Sequence, residues 1–310
     1  MTGLCSILLK SCTLWFWLFQ VRYMKEETIR GILKEEDGRS FVLGKNGDRF
    51  LESSMIWDGY LTHWRDRPVC ARLLPQRDYE TGDPIIIMWP DEDPSAAPFV
   101  ELYYNERLVK YPASTLGHIA INVNGEIFNY SHLINENEAM HAEEYFYRPA
   151  LGEFAPHPEL GVFNVDDPGR PYYDKFGRLF MRTIHVIRIE DLDTDTLSRI
   201  YHEELDVIHN TPPDPSRPEK YPDFSIFTRS CTTIIRDGFK RYGFSMIRGI
   251  FPRDLWVNCA YHLLRVADER GIAVRLFSKK QLKVPEAFYS AMTPLLNPMN
   301  RLRVRSLPEY

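Results

Sequence analysis

The fold of this chain is decided by a hairpin with the sequence Gly117-His-Ile-Ala-Ile-Asn-Val-Asn-Gly-Glu-Ile-Phe-Asn-Tyr-Ser131. Apolar residues alternate on both sides of Asn124-Gly125, the strongest short signal for a two-residue type I′ turn. That turn pairs Val123 with Glu126, and the same register continues to both ends of the hairpin. The sequence therefore predicts two antiparallel strands in one fixed alignment.

The register divides the hairpin into two faces, because side chains alternate across a sheet. The first face predicts a core and carries Ile119, Ile121, Val123, Phe128 and Tyr130. On the second face His118 has Ser131 directly opposite and Asn129 as a diagonal neighbour, both within reach of an imidazole. We expect Asn129 to hold the ring and its tautomer. The small Ala120 on this face is expected to leave room for a substrate.

A second informative stretch is Phe227-Thr-Arg-Ser-Cys-Thr-Thr-Ile-Ile-Arg-Asp-Gly-Phe239, in which an extended segment turns into a helix at Cys231. A thiol at a helix N-terminus lies where the helix dipole lowers its pKa, so we expect Cys231 to be partly ionised near neutral pH. The hydroxyls of Ser230, Thr232 and Thr233 are expected to cap the helix or line a site. A thiolate and an imidazole are the minimum for cysteine acyl transfer, which makes Cys231 and His118 candidate catalytic residues.

An alternative interpretation needs no catalysis. His118 would be a surface histidine, and Cys231 a buried small hydrophobic residue, because free cysteine is among the most buried residue types. Two other cysteines serve as a comparison: Cys259 falls in the middle of a predicted helix and Cys70 inside an apolar strand. Both are predicted to be core thiols, whereas Cys231 differs by opening its helix.

Size and composition exclude several classes of protein. The 310 residues allow one large domain or two modest ones, and a net charge of −5 without a dense basic stripe gives no reason to expect a nucleic-acid partner. The five cysteines form no CxxC pair and no zinc spacing, and an odd, scattered set argues against a disulfide framework. The remaining histidines show no metal-ligand pattern, so we expect no metal and no cofactor.

The N-terminal segment 1–24 is apolar from Leu4 to Val21 apart from Lys10 and a few small polar residues. Three interpretations stay open: a mis-called start codon, a membrane anchor, and a degenerate export signal. Translation from Met24 would make the protein cytoplasmic. Either of the others would place it at a membrane, through residues 4–21, or in the cell envelope.

The rest of the chain predicts an α+β protein with two domains. Short strands between turn-rich stretches predict a small OB-like β-barrel over residues 25–92, and the acidic, proline-rich segment 90–98 predicts a linker. The thiol domain is expected over residues 100–290, with a tail at 291–310. Within it we predict an irregular aromatic stretch at about 140–178, strands at 179–189 and 272–277, and helices at 194–210 and 252–269.

The segments Leu116-Gly-His-Ile-Ala-Ile-Asn-Val123, Phe128-Asn-Tyr130 and Ser230-Cys-Thr-Thr-Ile-Ile-Arg-Asp237 resemble a known family. A histidine hairpin followed by a helix-opening cysteine is similar to the circularly permuted branch of the NlpC/P60, papain-like fold. The closest likeness is to the N-terminal thiol domain of bacterial lipoprotein N-acyltransferases of the Lnb type, whose cysteine follows an asparagine where this chain has Ser230. The resemblance covers about residues 100–245.

The resemblance implies Cys231 as nucleophile and His118 as base, with Arg236 and Asp237 as structural support in the nucleophile helix. The sequence thus predicts a hydrolase or acyltransferase that attacks an ester, amide or peptide carbonyl through a thioester. The backbone N–H of Cys231 would stabilise the oxyanion. Two alternatives remain open: a catalytically inactive papain-like binding or scaffold protein, and an amidase acting on cell-wall peptides.

Overall fold

A computed structural model describes residues 28–77, 83–92, 97–107, 115–149, 177–282 and 295–310. These residues fall into two compact units, one within 1–93 and 147–176 and the other within 94–146 and 177–310. Each unit contains an antiparallel sheet and helical segments, which confirms the α+β class. The N-terminal segment 1–24 and most of the predicted aromatic stretch, residues 150–176, lie outside the described residues.

Five strands form the sheet of the first unit: β1 (Ile29–Glu36), β2 (Arg39–Leu43), β3 (Arg49–Phe50), β4 (Pro68–Arg77) and β5 (Pro84–Pro90). They are antiparallel and follow the order β3-β2-β1-β4-β5. The prediction of a closed OB-like barrel is wrong for the described residues, because this sheet is open. Closure would require β3 to pair with β5, and β3 offers only two residues for that pairing.

A short helix that the sequence did not reveal, α1 (Asp58–Trp64), belongs to the first unit. It is held by aromatic burial: the Tyr60 ring stacks on Trp64 and meets Trp57 edge-on, each at 5.3 Å between ring centroids. The Tyr60 hydroxyl also donates to the carbonyl of Tyr147, which belongs to this unit although its sequence position predicted the thiol domain. None of the described helices is long and apolar enough to cross a bilayer.

The second unit is built on six antiparallel strands: β6 (Phe99–Asn105), β7 (His118–Val123), β8 (Glu126–Asn129), β9 (Glu138–His141), β10 (Ile184–Glu190) and β11 (Ala273–Lys279). Their order is β11-β10-β6-β7-β8-β9. The hairpin register is confirmed, with Val123 opposite Glu126 and Ile121 opposite Phe128. Strand β6, which the sequence analysis did not identify, lies between β7 and β10 near the centre of the sheet.

The remaining described residues form six α-helices: α2 (Ala142–Tyr147), α3 (Arg178–Met181), α4 (Thr194–His209), α5 (Cys231–Tyr242), α6 (Pro252–Arg270) and α7 (Pro298–Arg303). Helices α4, α5 and α6 pack on strand β7 and share one hydrophobic core with it. The predicted helices at 194–210 and 252–269 are confirmed, the first capped by Asp193 and the second ended by the left-handed Gly271. The predicted strand at 179–189 begins only at Ile184, because residues 178–181 form α3.

Helices α4 and α5 approach each other closely at Gly238. A Cβ placed on Gly238 would overlap the ring of Tyr201 on α4. The Tyr201 hydroxyl donates to the carbonyl of Ile235 over 3.1 Å, so this ring is fixed and cannot turn away cheaply. The glycine therefore sets how near α5 lies to α4.

We expect Gly238→Ala to lower the free energy of unfolding by about 1–3 kcal/mol, because overpacking a fixed core outweighs the helix preference of alanine. Chemical denaturation measures the change. The matched control is the same substitution in a Tyr201→Leu background, where the loss should shrink because the ring is gone. An equal loss in both backgrounds would contradict the steric explanation.

Candidate functional site

The start of α5 is fixed by a capping box. The Ser230 hydroxyl accepts from the Thr233 backbone N–H over 3.4 Å, and the Thr233 hydroxyl accepts from the Ser230 N–H over 2.8 Å. Ser230 and Thr233 are therefore occupied in capping. Thr232 lines the site, with its hydroxyl 3.8 Å from the Cys231 sulfur.

His118 opens strand β7 directly after Gly117. The backbone of Gly117 adopts a φ of +75°, and a Cβ there would lie 2.6 Å from the carbonyl oxygen of Asn105. Both conditions favour glycine, because other residues rarely adopt positive φ and the added atom would clash. Gly117 lets the chain pass close to β6, where Asn105 pairs with His118. This pairing fixes the position from which the His118 side chain extends from the sheet.

Asn129 orients the imidazole, as the sequence predicted. Its side-chain oxygen lies 2.7 Å from Nε2 of His118, and its Nδ2 donates to the carbonyl of Glu136 over 2.8 Å. The second bond fixes the orientation of the amide, so Oδ1 accepts a hydrogen bond from the Nε2–H of His118. In the neutral ring the lone pair then resides on Nδ1, the nitrogen that can receive a proton.

His118 and Cys231 line one cavity of about 440 Å³. Cys231 is half-buried, and the backbone N–H of Ile119, the residue after His118, donates to its sulfur. This bond places the thiol at the first residues of the strand that carries the imidazole. The tertiary structure thus unites two residues that are more than a hundred positions apart in sequence.

The thiol is less acidic than its position at a helix start suggested. Burial raises the pKa of Cys231 above its ordinary value, and it outweighs the opposing hydrogen bonds from Ile119 and Thr232 and the charge of Arg178. The prediction of a partly ionised thiol near neutral pH is therefore wrong for this structure. The resting form is the neutral thiol.

The other predicted contact of His118 is not seen. Ser131 was expected within reach of the imidazole, but its hydroxyl donates to the carboxylate of Glu136 over 2.6 Å and lies 3.4 Å from Nδ1 of His132. Among the described residues the β7–β8 ladder ends at the pair Ile121–Phe128, three pairs before the expected pair His118–Ser131. Ser131 still lines the cavity and supports the turn after β8.

Arg236 and Asp237 support the nucleophile helix. The Arg236 guanidinium holds the Asp237 carboxylate with two bonds of 2.8 Å and donates to the carbonyl of Gly249 over 3.1 Å. Gly249 directly precedes Ile250 and Phe251, which line the cavity. Arg236 thus ties α5 to one wall of the site.

The walls of the cavity come from residues that sequence reasoning missed. Ala120 does not line it, because Ala120 is fully buried in β7. Apolar side chains from the loops before α5 and α6, and from the first residue of α6, do so instead: Phe224, Ile226, Ile250, Phe251 and Pro252. The cavity also exposes a second imidazole, His132. In the sequence, these wall residues were signalled only by the aromatic segment 221–227. That segment has no periodicity, so the sequence did not assign it to a helix or a strand.

The two comparison cysteines are core thiols, as predicted. Cys259 is fully buried in the hydrophobic core on α6, and burial strongly raises its pKa. Cys70 is buried in β4, where its thiol lies 3.2 Å from the Asp91 carboxylate. Of the three cysteines that the structure describes, Cys231 is the one that reaches a cavity.

In comparisons with protein-family models, with curated proteins and with solved structures, nothing matches this chain. The described residues also contain no group of three or more histidine, cysteine or acidic side chains placed to hold a metal ion.

We expect the alkylation rate of Cys231 by iodoacetamide to keep rising with pH beyond about 8.5, where a free cysteine is half ionised, because burial disfavours the thiolate. Peptide mapping by mass spectrometry at a series of pH values gives the midpoint. Cys231→Ser supplies the background from the other thiols. A rate that has already levelled off near neutral pH would show that the thiol is acidic after all.

Proposed function

We propose that this protein is a cysteine-dependent acyl-transfer enzyme with Cys231 as nucleophile and His118 as general base. One observation carries the proposal: Cys231 and His118 line one cavity, and Asn129 holds the His118 imidazole through its Nε2. A nucleophile, a base and a group that orients the base are the minimum of a catalytic triad.

In the first step Nδ1 of His118 takes the proton of the Cys231 thiol while the sulfur attacks an ester or amide carbonyl carbon. The tetrahedral intermediate collapses as the imidazolium returns that proton to the departing oxygen or nitrogen, and a thioester remains on Cys231. Asn129 accepts from Nε2 throughout and so stabilises the imidazolium while it exists.

The neutral resting thiol fits a mechanism in which proton transfer accompanies attack. Burial disfavours a thiolate in the resting enzyme. When the sulfur attacks a carbonyl carbon, the negative charge moves to the carbonyl oxygen, which can accept hydrogen bonds from donors in the site. The N–H of Cys231 occupies the first position of α5, one of the donors that a helix leaves unpaired at its start. It is the donor we assign to the oxyanion.

In the second step a nucleophile from solution resolves the thioester. Water gives a hydrolase, and an amine gives an acyltransferase; in both cases His118 accepts the proton of the attacking group and the thiol leaves with it. The apolar walls of the cavity favour a substrate with an apolar group next to its carbonyl.

We further propose that the second unit is a permuted papain-like domain of the NlpC/P60 type, related to bacterial lipoprotein N-acyltransferases. The support is the order of its parts: a histidine strand inside an antiparallel sheet, a return strand with the orienting amide, and a later helix that opens at the cysteine. The capping role of Ser230 explains how a residue other than asparagine serves before the nucleophile.

A catalytically inactive binding protein is the second candidate, and the raised pKa of Cys231 is the observation that favours it. A buried, neutral thiol packed beside the core would then fill space and nothing more. An amidase for cell-wall peptides would use the same residues as the enzyme proposed above and would differ only in its substrate.

Incubation with p-nitrophenyl acetate should leave an acetyl group on Cys231 that intact-mass spectrometry detects. Cys231→Ala should form no such adduct, while Cys259→Ala, which removes a core thiol, should still form it if folded. His118→Gln should slow the acylation by roughly a hundredfold or more, because the base is gone. Thermal denaturation checks that each variant is folded. An adduct that forms equally fast without the imidazole would support the inactive binding protein.

Asn129→Ala should lower the acylation rate by roughly tenfold or more, because the imidazole loses its tautomer and orientation. Asn129→Asp keeps an acceptor beside Nε2 and should retain more activity. Its carboxylate should raise the pKa of His118, so the acid limb of the pH–rate profile should move to higher pH. Unchanged profiles in a folded Asp variant would mean that Asn129 is structural only.

A further inference from the structure

A second cavity, of about 710 Å³, lies in the second unit between α6 and the segment that begins with α7. It shares no lining residue with the thiol cavity. Its walls are Tyr261, His262, Leu264 and Arg265 from α6, and Met299, Leu302, Arg303, Ser306 and Leu307 from the C-terminal segment. The proposed acyl-transfer chemistry makes no use of it.

The wall formed by α7 is held in place by Asp254, a buried residue in the first turn of α6. The Asp254 carboxylate accepts from the backbone N–H groups of Leu296 at 3.3 Å and Asn297 at 3.1 Å, and from the Asn300 amide at 3.2 Å. Asn300 is fully buried. The cavity is therefore a built feature, because its two walls are joined by buried hydrogen bonds.

Two guanidinium groups face this cavity. Arg265 and Arg303 both pack on the ring of Tyr261, with 5.3 and 5.4 Å from guanidinium carbon to ring centroid. Their hydrogen bonds go to neutral oxygens, those of the Tyr261 hydroxyl and the Asn300 amide, and within the described ranges neither meets a carboxylate. Among the residues that the structure describes, the two guanidinium groups at this cavity thus have no carboxylate partner.

The same cavity exposes large apolar side chains. Met299 is 55 % exposed and Leu302 59 % exposed, and Leu264 and Leu307 complete the apolar part of the wall. Apolar surface beside uncompensated arginines matches a ligand that carries a negative group and a hydrocarbon chain. A nucleobase fits less well, because the Tyr261 ring already packs against two guanidinium groups.

We propose that this cavity binds a single-chain anionic amphiphile, a phosphate or carboxylate headgroup on an aliphatic chain. The headgroup lies between Arg265 and Arg303, and the chain lies along Met299 and Leu302. The site is separate from the thiol cavity and does not rest on the proposed acyl-transfer activity.

Isothermal titration of the full chain with dodecyl phosphate and with dodecanoate, below their micellar concentrations, tests the proposal. Both should bind, whereas inorganic phosphate and dodecanol should bind at least tenfold more weakly, because each offers only half of the recognised chemistry. Affinity should also rise along the series butyl, octyl and dodecyl phosphate. Inorganic phosphate binding as tightly as dodecyl phosphate would reduce the site to an anion site and overturn the proposal.

Variants locate the binding. The double variant Arg265→Gln/Arg303→Gln should weaken dodecyl phosphate binding by roughly tenfold or more, because charge-assisted bonds to the headgroup are lost. Arg305→Gln, an exposed arginine on the same segment that does not line the cavity, should bind within about twofold of the parent protein. Full binding by the folded double variant would place the ligand elsewhere and overturn the assignment. If that variant does not fold, Met299→Ser replaces it and should weaken dodecyl phosphate binding, because the chain is proposed to lie along Met299. The chain-length series on the parent protein is then the second measurement, and full binding by Met299→Ser would overturn the assignment.

Discussion

The start of helix α5 contacts the start of strand β7. This contact positions the side chains of Cys231 and His118, which line one cavity. Gly117 lets the chain enter β7 close against the Asn105 carbonyl of β6, which fixes where His118 and Ile119 leave the sheet. The Ile119 N–H then donates to the sulfur of Cys231, whose helix is capped by Ser230. Because β7 is paired on both sides and buried on both faces, neither partner of the contact can shift without disturbing the core.

Burial and the helix dipole act in opposite directions on the thiol, and burial prevails. A helix start favours a thiolate by a modest amount, whereas removing a charge from water costs more as the group becomes enclosed. The orienting chain from Glu136 through Asn129 to His118 is unaffected by this competition, since it fixes a neutral tautomer. The cavity thus brings together a thiol whose pKa burial raises and an imidazole that Asn129 holds through Nε2.

The two cavities described in the second unit share helix α6 and differ in the other elements that line them. The thiol cavity is walled by the loops before α5 and α6, and Arg236 links one of these loops to the nucleophile helix. The other cavity is lined by residues 261–265 of α6, whereas Asp254, in the first turn of that helix, holds the C-terminal segment by hydrogen bonds from its backbone and from Asn300. Helix α6 lines both cavities. Its first residue, Pro252, lines the thiol cavity, and its residues from Tyr261 to Arg265 line the other.

The sequence by itself determined what local chemistry dictates: the Asn124-Gly125 register, the core face of the hairpin, the helices predicted at 194–210 and 252–269, and the contact of His118 with Asn129. It missed β6, whose residues are buried on both faces and so show no alternation, and α1, which three aromatic rings hold. It also predicted a barrel where two-residue β3 leaves an open sheet. Only the tertiary structure decided the thiol pKa and the cavity walls, because both depend on which distant residues enclose a side chain, and no local pattern encodes enclosure.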